Sequence, residues 1–178
     1  MKKINKAVVI DWIKTIVYPV VLALIVLMII RPTVVKEYSM YPTIKENDYV
    51  IVYKLAYKLG GEPEYHDVVV FESDLYLDET HNKMLIKRVI GAPGDTLRIE
   101  DGAVYLNGTL LEEDYINPND SRTNMEEFTV PEGKLFVMGD NRNNSVDSRD
   151  ERVGFVDMDR VMGKVVFRLY PFNSIGLL

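Results

Sequence analysis

Three short stretches hold residue types that could do covalent chemistry: "SMYPTI" at 39–44, "KRVIGAPGD" at 87–95 and "GDNRNNSVDSR" at 139–149. The chain has no cysteine, so thiol catalysis, disulfides and cysteine metal sites are excluded. A serine hydroxyl is a poor nucleophile until a neighbouring base takes its proton. His66, with Asp67 beside it, is one candidate base for Ser39. Consecutive residues of a strand point to opposite faces, however, and cannot form a relay. Lys87 is the other candidate, provided that it is neutral. At an ordinary pKa of about 10.4, only about one lysine in 2,500 is deprotonated at pH 7. Burial penalises the ammonium and lowers that pKa toward the working range of a general base. The apolar flanks "MLI" and "VI" around Lys87 offer such an environment.

Each stretch also has a plain structural explanation. "GAPGD" is an ordinary turn sequence, and a single lysine in a strand is commonly solvated. "GDNRNNSVDSR" reads equally as a polar loop held by Asx turns and Asp–Arg pairs. The chemical reading comes from the three together.

Elements that position these residues can be read from the rest of the chain. The 178 residues suit one domain with an appendage, and 47% apolar with 27% charged content describes a folded chain. A net charge of −6 and a pI near 5.0 argue against a nucleic-acid partner. Two isolated histidines, His66 and His81, make no metal-ligand spacing, and neither a metal nor another cofactor is expected.

The N-terminus opens with the basic "MKKINK" and continues into "TIVYPVVLALIVLMII" at 15–30, which carries no charge. Extended back to Ala7, the apolar segment reaches the ~20 residues that a membrane-crossing helix needs. Lys14 can snorkel, and Trp12 and Tyr18 suit the interfacial belt. The run ends "MIIRPTVV", without the small-residue exit of a cleaved secretory signal, so an uncleaved anchor is expected. Lys2, Lys3, Lys6 and Lys14 before the span, against Arg31 and Lys36 after it, place the N-terminus in the cytoplasm and the body outside.

Beyond Pro32 the pattern has period two. Strands are predicted at 49–54, 67–72, 84–90, 96–100, 103–107, 134–138 and 163–170, all short and rich in β-branched and aromatic residues. "EDG" at 100–102 and "NG" at 107–108 predict a tight meander with type I′-like turns. Residues 112–128 read as an acidic, irregular loop and 73–82 as an exposed excursion. A helical turn is expected only at Asp157–Val161. The body is predicted to be mainly β.

The three stretches, in this order and behind an N-terminal anchor, resemble the type I signal peptidase family, especially its compact Gram-positive bacterial members. "SMxPT", "KRVIGxPGD" and "GDNRxxSxDSR" carry the resemblance, and "DVVVF" at 67–71 matches a weaker block. It implies a membrane-bound Ser–Lys endopeptidase that removes signal peptides from exported preproteins after small residues at −3 and −1. The partners implied are those signal peptides and the lipid bilayer. The implied fold is a signal-peptidase-like antiparallel β core with a small inserted subdomain. The chain then divides into a cytoplasmic 1–6, an anchor at 7–30, a catalytic core of 31–95 and 130–178, and an insertion at 96–129.

By resemblance, Ser39 is the nucleophile and Lys87 the general base, with the Ser39 N–H as an oxyanion donor. Ser145 matches a serine that hydrogen-bonds and orients the lysine. Arg88, Asp140, Asp147 and Arg149 match charged residues that brace the site. Val35, Met40, Ile44, Val50, Leu85 and Ile86 align with residues lining two shallow apolar substrate pockets. One departure stands out: two residues before the nucleophile, where many members carry serine or glycine, this chain has Glu37. Ionised, it can only accept hydrogen bonds, so it either turns to solvent or leaves the second oxyanion donor absent. An alternative reading is a non-catalytic, membrane-anchored assembly or chaperone factor with the same fold. The presence of both Ser39 and Lys87 argues against it.

Overall fold

The computed structural model describes residues 6–58, 60–77, 80–116 and 123–178. The basic residues expected to lead the anchor, Lys2 and Lys3, lie outside the described residues, as does part of the expected 112–128 loop.

Helix α1, Lys6–Ile29, is 24 residues long and carries Pro19 inside it. At 1.5 Å per residue it measures roughly 36 Å, enough to cross ~30 Å of hydrocarbon. Its apolar side chains from Ile10 to Met28 are exposed, so it is packed into no protein core. Strand β1, Ile30–Val34, follows without a break. The helix stops where Pro32 disfavours further α geometry for the chain before it. Two of its last carbonyls, otherwise unsatisfied, accept from one residue: Lys54 Nζ donates to Leu27 O at 2.6 Å and Lys54 N to Ile29 O at 2.9 Å. The anchor expected to run to Ile30 therefore gives way to an unpredicted strand. Its proline hid it, but β1 lies at a sheet edge, where a missing N–H is tolerated.

The remaining strands are β2 (Tyr49–Tyr53), β3 (Val68–Tyr76), β4 (Asn82–Gly91), β5 (Thr96–Glu100), β6 (Ala103–Leu106), β7 (Thr109–Leu110), β8 (Met125–Thr129), β9 (Lys134–Met138), β10 (Val156–Asp157), β11 (Val161–Tyr170) and β12 (Gly176–Leu177). The main sheet has the order β1-β2-β11-β3-β4-β9-β10, with β12 also on β11; a second sheet runs β7-β6-β5-β8. Every strand pairing among the described residues is antiparallel. The predicted mainly-β body is correct.

The meander at 95–111 forms as expected. Asp101 and Gly102 join β5 to β6, Asn107 and Gly108 join β6 to β7, and all four have positive φ. That is the type I′ requirement for both central residues. Two expectations need correction. The irregular loop assigned to 112–128 ends in strand β8, which pairs with β5 through a register shift between Leu97 and Ile99. Its two glutamates, Glu126 and Glu127, are exposed and adjacent, so the alternation that marks a strand is broken. The excursion assigned to 73–82 is strand at both ends, since β3 runs to Tyr76 and β4 starts at Asn82. There Ser73 is buried and its Oγ donates to Lys83 O at 2.7 Å. The helical turn expected at Asp157–Val161 is a single 3₁₀ turn, Met158–Arg160.

Three apolar clusters hold the body. Val35, Met40, Ile44, Val50, Val52, Val68, Val70 and Val165 pack on one face of the main sheet, with Ile86 against them. Val69, Phe71, Leu85, Val89, Leu135 and Val137 are among those on the other. The third, containing Ile90, Leu97, Ile99, Val104, Phe136 and Met138, joins the second sheet to the end of β4 and to β9. Burial of this apolar area is the main stabilising term, and it ties the end of β4 to the second sheet.

Candidate active site

Ser39 lies in the turn that follows β1. The turn is closed by Tyr41 N donating to Tyr38 O at 3.1 Å and Ile44 N to Met40 O at 2.8 Å. It is held from outside by Asn141, whose backbone N–H donates to Ser39 O at 3.0 Å and whose side-chain amide donates to Tyr38 O at 3.1 Å. Ser39 is 8% exposed.

Lys87 sits in the middle of β4 at 1% exposure, paired across the ladder with the fully buried Val69. Its Nζ is 2.7 Å from Ser39 Oγ and donates to Ile86 O at 3.0 Å. Burial lowers its pKa to about 8, against the opposing influence of Asp147 and Glu37. Once the amine is neutral, the hydroxyl can donate along the same 2.7 Å line, which is the geometry a general base needs.

The third stretch is carried to this pair by strand register. Arg88 pairs with Met138 and Val89 with Val137, so the chain leaves β9 beside Lys87. The next residue, Gly139, must be glycine, because a Cβ there would lie 2.7 Å from Ser145 Cβ and closer still to Ser145 Oγ and Ser39 O. Asp140, wholly buried, then receives Arg88 Nε at 2.9 Å and Nη2 at 2.7 Å in a bidentate pair. Asp147 accepts from Gly139 N at 2.9 Å and from Arg149 Nε and Nη2 at 2.8 Å each. Burial pushes the Asp147 carboxyl up, but the Arg149 guanidinium outweighs it and holds the group below the usual carboxylate range. The four charged residues expected to brace the site thus form two buried pairs flanking the Ser39–Lys87 contact. The hydrogen bond expected from Ser145 to Lys87 is not made. Ser145 Oγ is buried against Gly139 and faces the Asp147 carboxylate, while Lys87 Nζ turns to Ile86 O.

His66 is set aside for a reason different from the one read in the sequence. It is not in a strand; it occupies a turn with φ 78°. Its carbonyl accepts from Arg88 Nη1 at 3.0 Å, and its ring packs edge-on against Tyr65 and Tyr115. Asp67 is committed elsewhere, accepting from Tyr57 Oη at 2.7 Å and pairing with Lys164.

A cleft of about 440 Å³ opens at Ser39, walled by Lys36–Ser39, by Leu75, Lys83 and Leu85, and by Asn143–Val146. Of the six residues aligned with substrate pockets, Leu85 lines this cleft. Val35, Met40, Ile44 and Val50 are each under 5% exposed and belong to the first apolar cluster, with Ile86 packed on it. Glu37 does not swing free into solvent: its carboxylate is paired with Lys83 Nζ.

Several residues with a part in the site were not singled out from the sequence. Lys83 is two alternations before Lys87 on β4, so strand period alone could have found it. Arg142 is 4% exposed and pairs with Glu113, which follows β7; Arg142 Nη1 donates to Glu113 at 2.9 Å. Tyr115 stacks under Arg88, its ring 4.0 Å from the guanidinium carbon, and its hydroxyl donates to Glu113 at 2.6 Å. No local signal points from "EEDY" at 112–115 to a loop 29 residues away.

Residues 9–170 match the family described as signal peptidase, peptidase S26. A signal peptidase I of Bacillus licheniformis is 37% identical over 175 residues, covering 93% of this chain and 90% of its own. Signal peptidase I S of Bacillus subtilis is also 37% identical, over 96% of this chain and 94% of its own. A crystal structure of a signal peptidase I from Enterococcus faecalis covers 58% of this chain and 96% of its own, at 34% identity and a TM-score of 0.47. The chain belongs to the signal peptidase family, peptidase S26.

Proposed function

We propose that this chain is a membrane-anchored endopeptidase that removes signal peptides with a Ser39–Lys87 dyad. The observation that carries the reading is the 2.7 Å contact between Ser39 Oγ and the Nζ of a lysine that is 1% exposed. Neutral Lys87 takes the hydroxyl proton as Ser39 Oγ attacks the scissile carbonyl carbon. The tetrahedral oxyanion receives the Ser39 N–H. As the C–N bond breaks, the Lys87 ammonium gives its proton to the leaving amine. A water that Lys87 deprotonates then attacks the acyl carbon; the C–Oγ bond breaks, Ser39 Oγ takes the proton back from Lys87, and the signal peptide leaves as a carboxylic acid that ionises in solvent. Arg88, Asp140, Asp147 and Arg149 hold the loop that seats Ser39, and Ser145 packs within that loop against Gly139.

Leu85 lines the cleft, whereas Val35, Met40, Ile44, Val50 and Ile86 pack together in the apolar cluster on the other face of the main sheet. The preference for alanine-sized side chains at −3 and −1 is inferred from the family relationship. Helix α1 is the anchor, with its N-terminus cytoplasmic and the body outside. Ser39 is nine residues past Ile30, at most ~30 Å of extended chain, so the dyad meets substrates at the outer membrane surface. Tethering enzyme and substrate in one plane raises their effective concentration. Residues 96–129, which include the second sheet, act as a subdomain carried by the catalytic core of 31–95 and 130–178.

The test incubates detergent-solubilised protein with a preprotein carrying an A-x-A site, comparing the parent with Ser39→Ala and Lys87→Ala. Cleavage by the parent alone supports the dyad; equal cleavage by all three, or none by the parent, refutes it.

A further inference from the structure

On β4 the side chains of Lys83, Leu85 and Lys87 alternate onto one face, forming a row about 7 Å apart. Lys87 ends the row at Ser39, Leu85 lines the cleft, and Lys83 marks its other end. From the facing wall, two residues before Ser39, Glu37 reaches across to Lys83. The two side chains are 46% and 31% exposed, and neither has another side-chain partner among the described residues. An extended chain that occupies this cleft with its scissile carbonyl at Ser39 Oγ runs beside the row, because Leu85 and Lys83 form one wall of the cleft and Glu37 and Ser39 lie on another. It meets the ion pair within a few residues of the cut.

The geometry points to a specificity-determining role for this pair: Glu37 and Lys83 form a neutral bridge across the cleft that admits uncharged side chains and rejects charged ones of either sign. The inference rests on the proposed peptidase activity. A carboxylate on the peptide would draw Lys83 away and leave Glu37 facing a like charge. An ammonium would draw Glu37 away and leave Lys83 unpaired. An uncharged side chain leaves the bridge intact. Discrimination of this kind comes from the cost imposed on the wrong partner, and like charges juxtaposed at an interface are costly. Both groups act on Lys87 as well, in opposite senses: Glu37 favours its ammonium and Lys83 disfavours it. The intact pair therefore partly cancels its own field at the base.

The experiment is a charge scan of the substrate. Each residue from −5 to +3 of an A-x-A preprotein, the two alanines excepted, is replaced in turn by Asp and by Lys. kcat/KM is measured for the parent, Glu37→Gln and Lys83→Gln. The parent is expected to lose tenfold or more with both replacements at one or more positions. At those positions Glu37→Gln, with Lys83 unpaired, should accept Asp over Lys, and Lys83→Gln should accept Lys over Asp. On an unmodified substrate, the pH at half-maximal rate should fall in Glu37→Gln and rise in Lys83→Gln. A purely structural role gives no such reversal of sign. If both variants keep the parent's charge preferences while the parent cleaves, the bridge is refuted and the peptidase reading stands; if the parent cleaves nothing, the peptidase reading itself fails.

Discussion

Gly139 is seated directly against the carbonyl of Ser39, with no room between them for a single methyl group. That carbonyl also accepts from Asn141 N, so the loop after β9 holds the Ser39 peptide unit from two sides. A methyl group at 139 has to push either Ser39 or Ser145 aside. Misplacement by about 1 Å can cost on the order of a hundredfold in rate. Gly139→Ala is therefore expected to lose about two orders of magnitude in kcat while its circular dichroism spectrum stays that of the parent. Parental kcat in that variant would show that the contact is slack.

The pH dependence follows from the direction in which Lys87 is shifted. Burial brings it to about 8, so about one molecule in ten carries the neutral amine at pH 7. kcat/KM should rise about tenfold per pH unit below that value and level off above it. A profile recorded from pH 6 to 9.5 checks this, and a flat profile would remove Lys87 from the role of base.

The same shift has a stability counterpart. A lysine whose folded pKa is depressed binds fewer protons in the native state than in the unfolded chain. Stability therefore rises with pH between about 8 and the unfolded value, and the full penalty is present below 8. Lys87→Met keeps the volume and drops the charge. It should raise the melting temperature at pH 6 by more than at pH 10, with roughly 3 kcal/mol as the upper bound at the acid end. An equal change at both values would mean that the lysine is not desolvated in the fold.

Arg88 and Asp140 form a bidentate pair in which the carboxylate is wholly buried. Removing one partner strands the other, so Asp140→Asn is expected to destabilise by about 3–5 kcal/mol. Arg88→Met combined with Asp140→Leu should recover most of that loss without recovering activity, because the loop carrying Gly139 and Asn141 is no longer oriented. Urea unfolding of the three variants, read beside preprotein cleavage, separates the two effects.

Removing the Glu113 carboxylate tests the clasp between the two sheets. Arg142 is buried on it, and Tyr115, whose phenol is pushed up by burial and by the Glu113 charge, closes the same cluster under Arg88. Glu113→Gln should cost stability of the same order as Asp140→Asn and lower kcat more than it changes KM, since Arg142 lies in the loop that seats Ser39. An unchanged kcat would confine Glu113 to a local role.

Much of the site's chemistry was legible in one dimension. A serine in a turn sequence, a lysine between "MLI" and "VI", and glycine and aspartate ahead of an Asx-rich loop are local facts. So are the two type I′ turns, which need only Asp101-Gly102 and Asn107-Gly108 to take positive φ. Helix α1 was equally plain, because a long uncharged run needs no tertiary information to be read. Strands β1 and β8 were hidden for opposite reasons. One contains a proline that only an edge position tolerates, and the other carries two adjacent glutamates beside a register shift.

What the residues determine alone is therefore the set of reactive groups, their apolar or polar flanks, and the turns between strands. Whether Ser39 and Lys87 meet was decided by strand order. They are 48 positions apart, and β11, more than 70 residues further on, joins β2 to β3 and so brings the two walls of the cleft into one sheet. The pairing of Glu37 with Lys83 and the docking of Glu113 on Arg142 arise in the same way. Such contacts depend on register and on burial summed over distant strands, and neither quantity is carried by any local stretch of the chain.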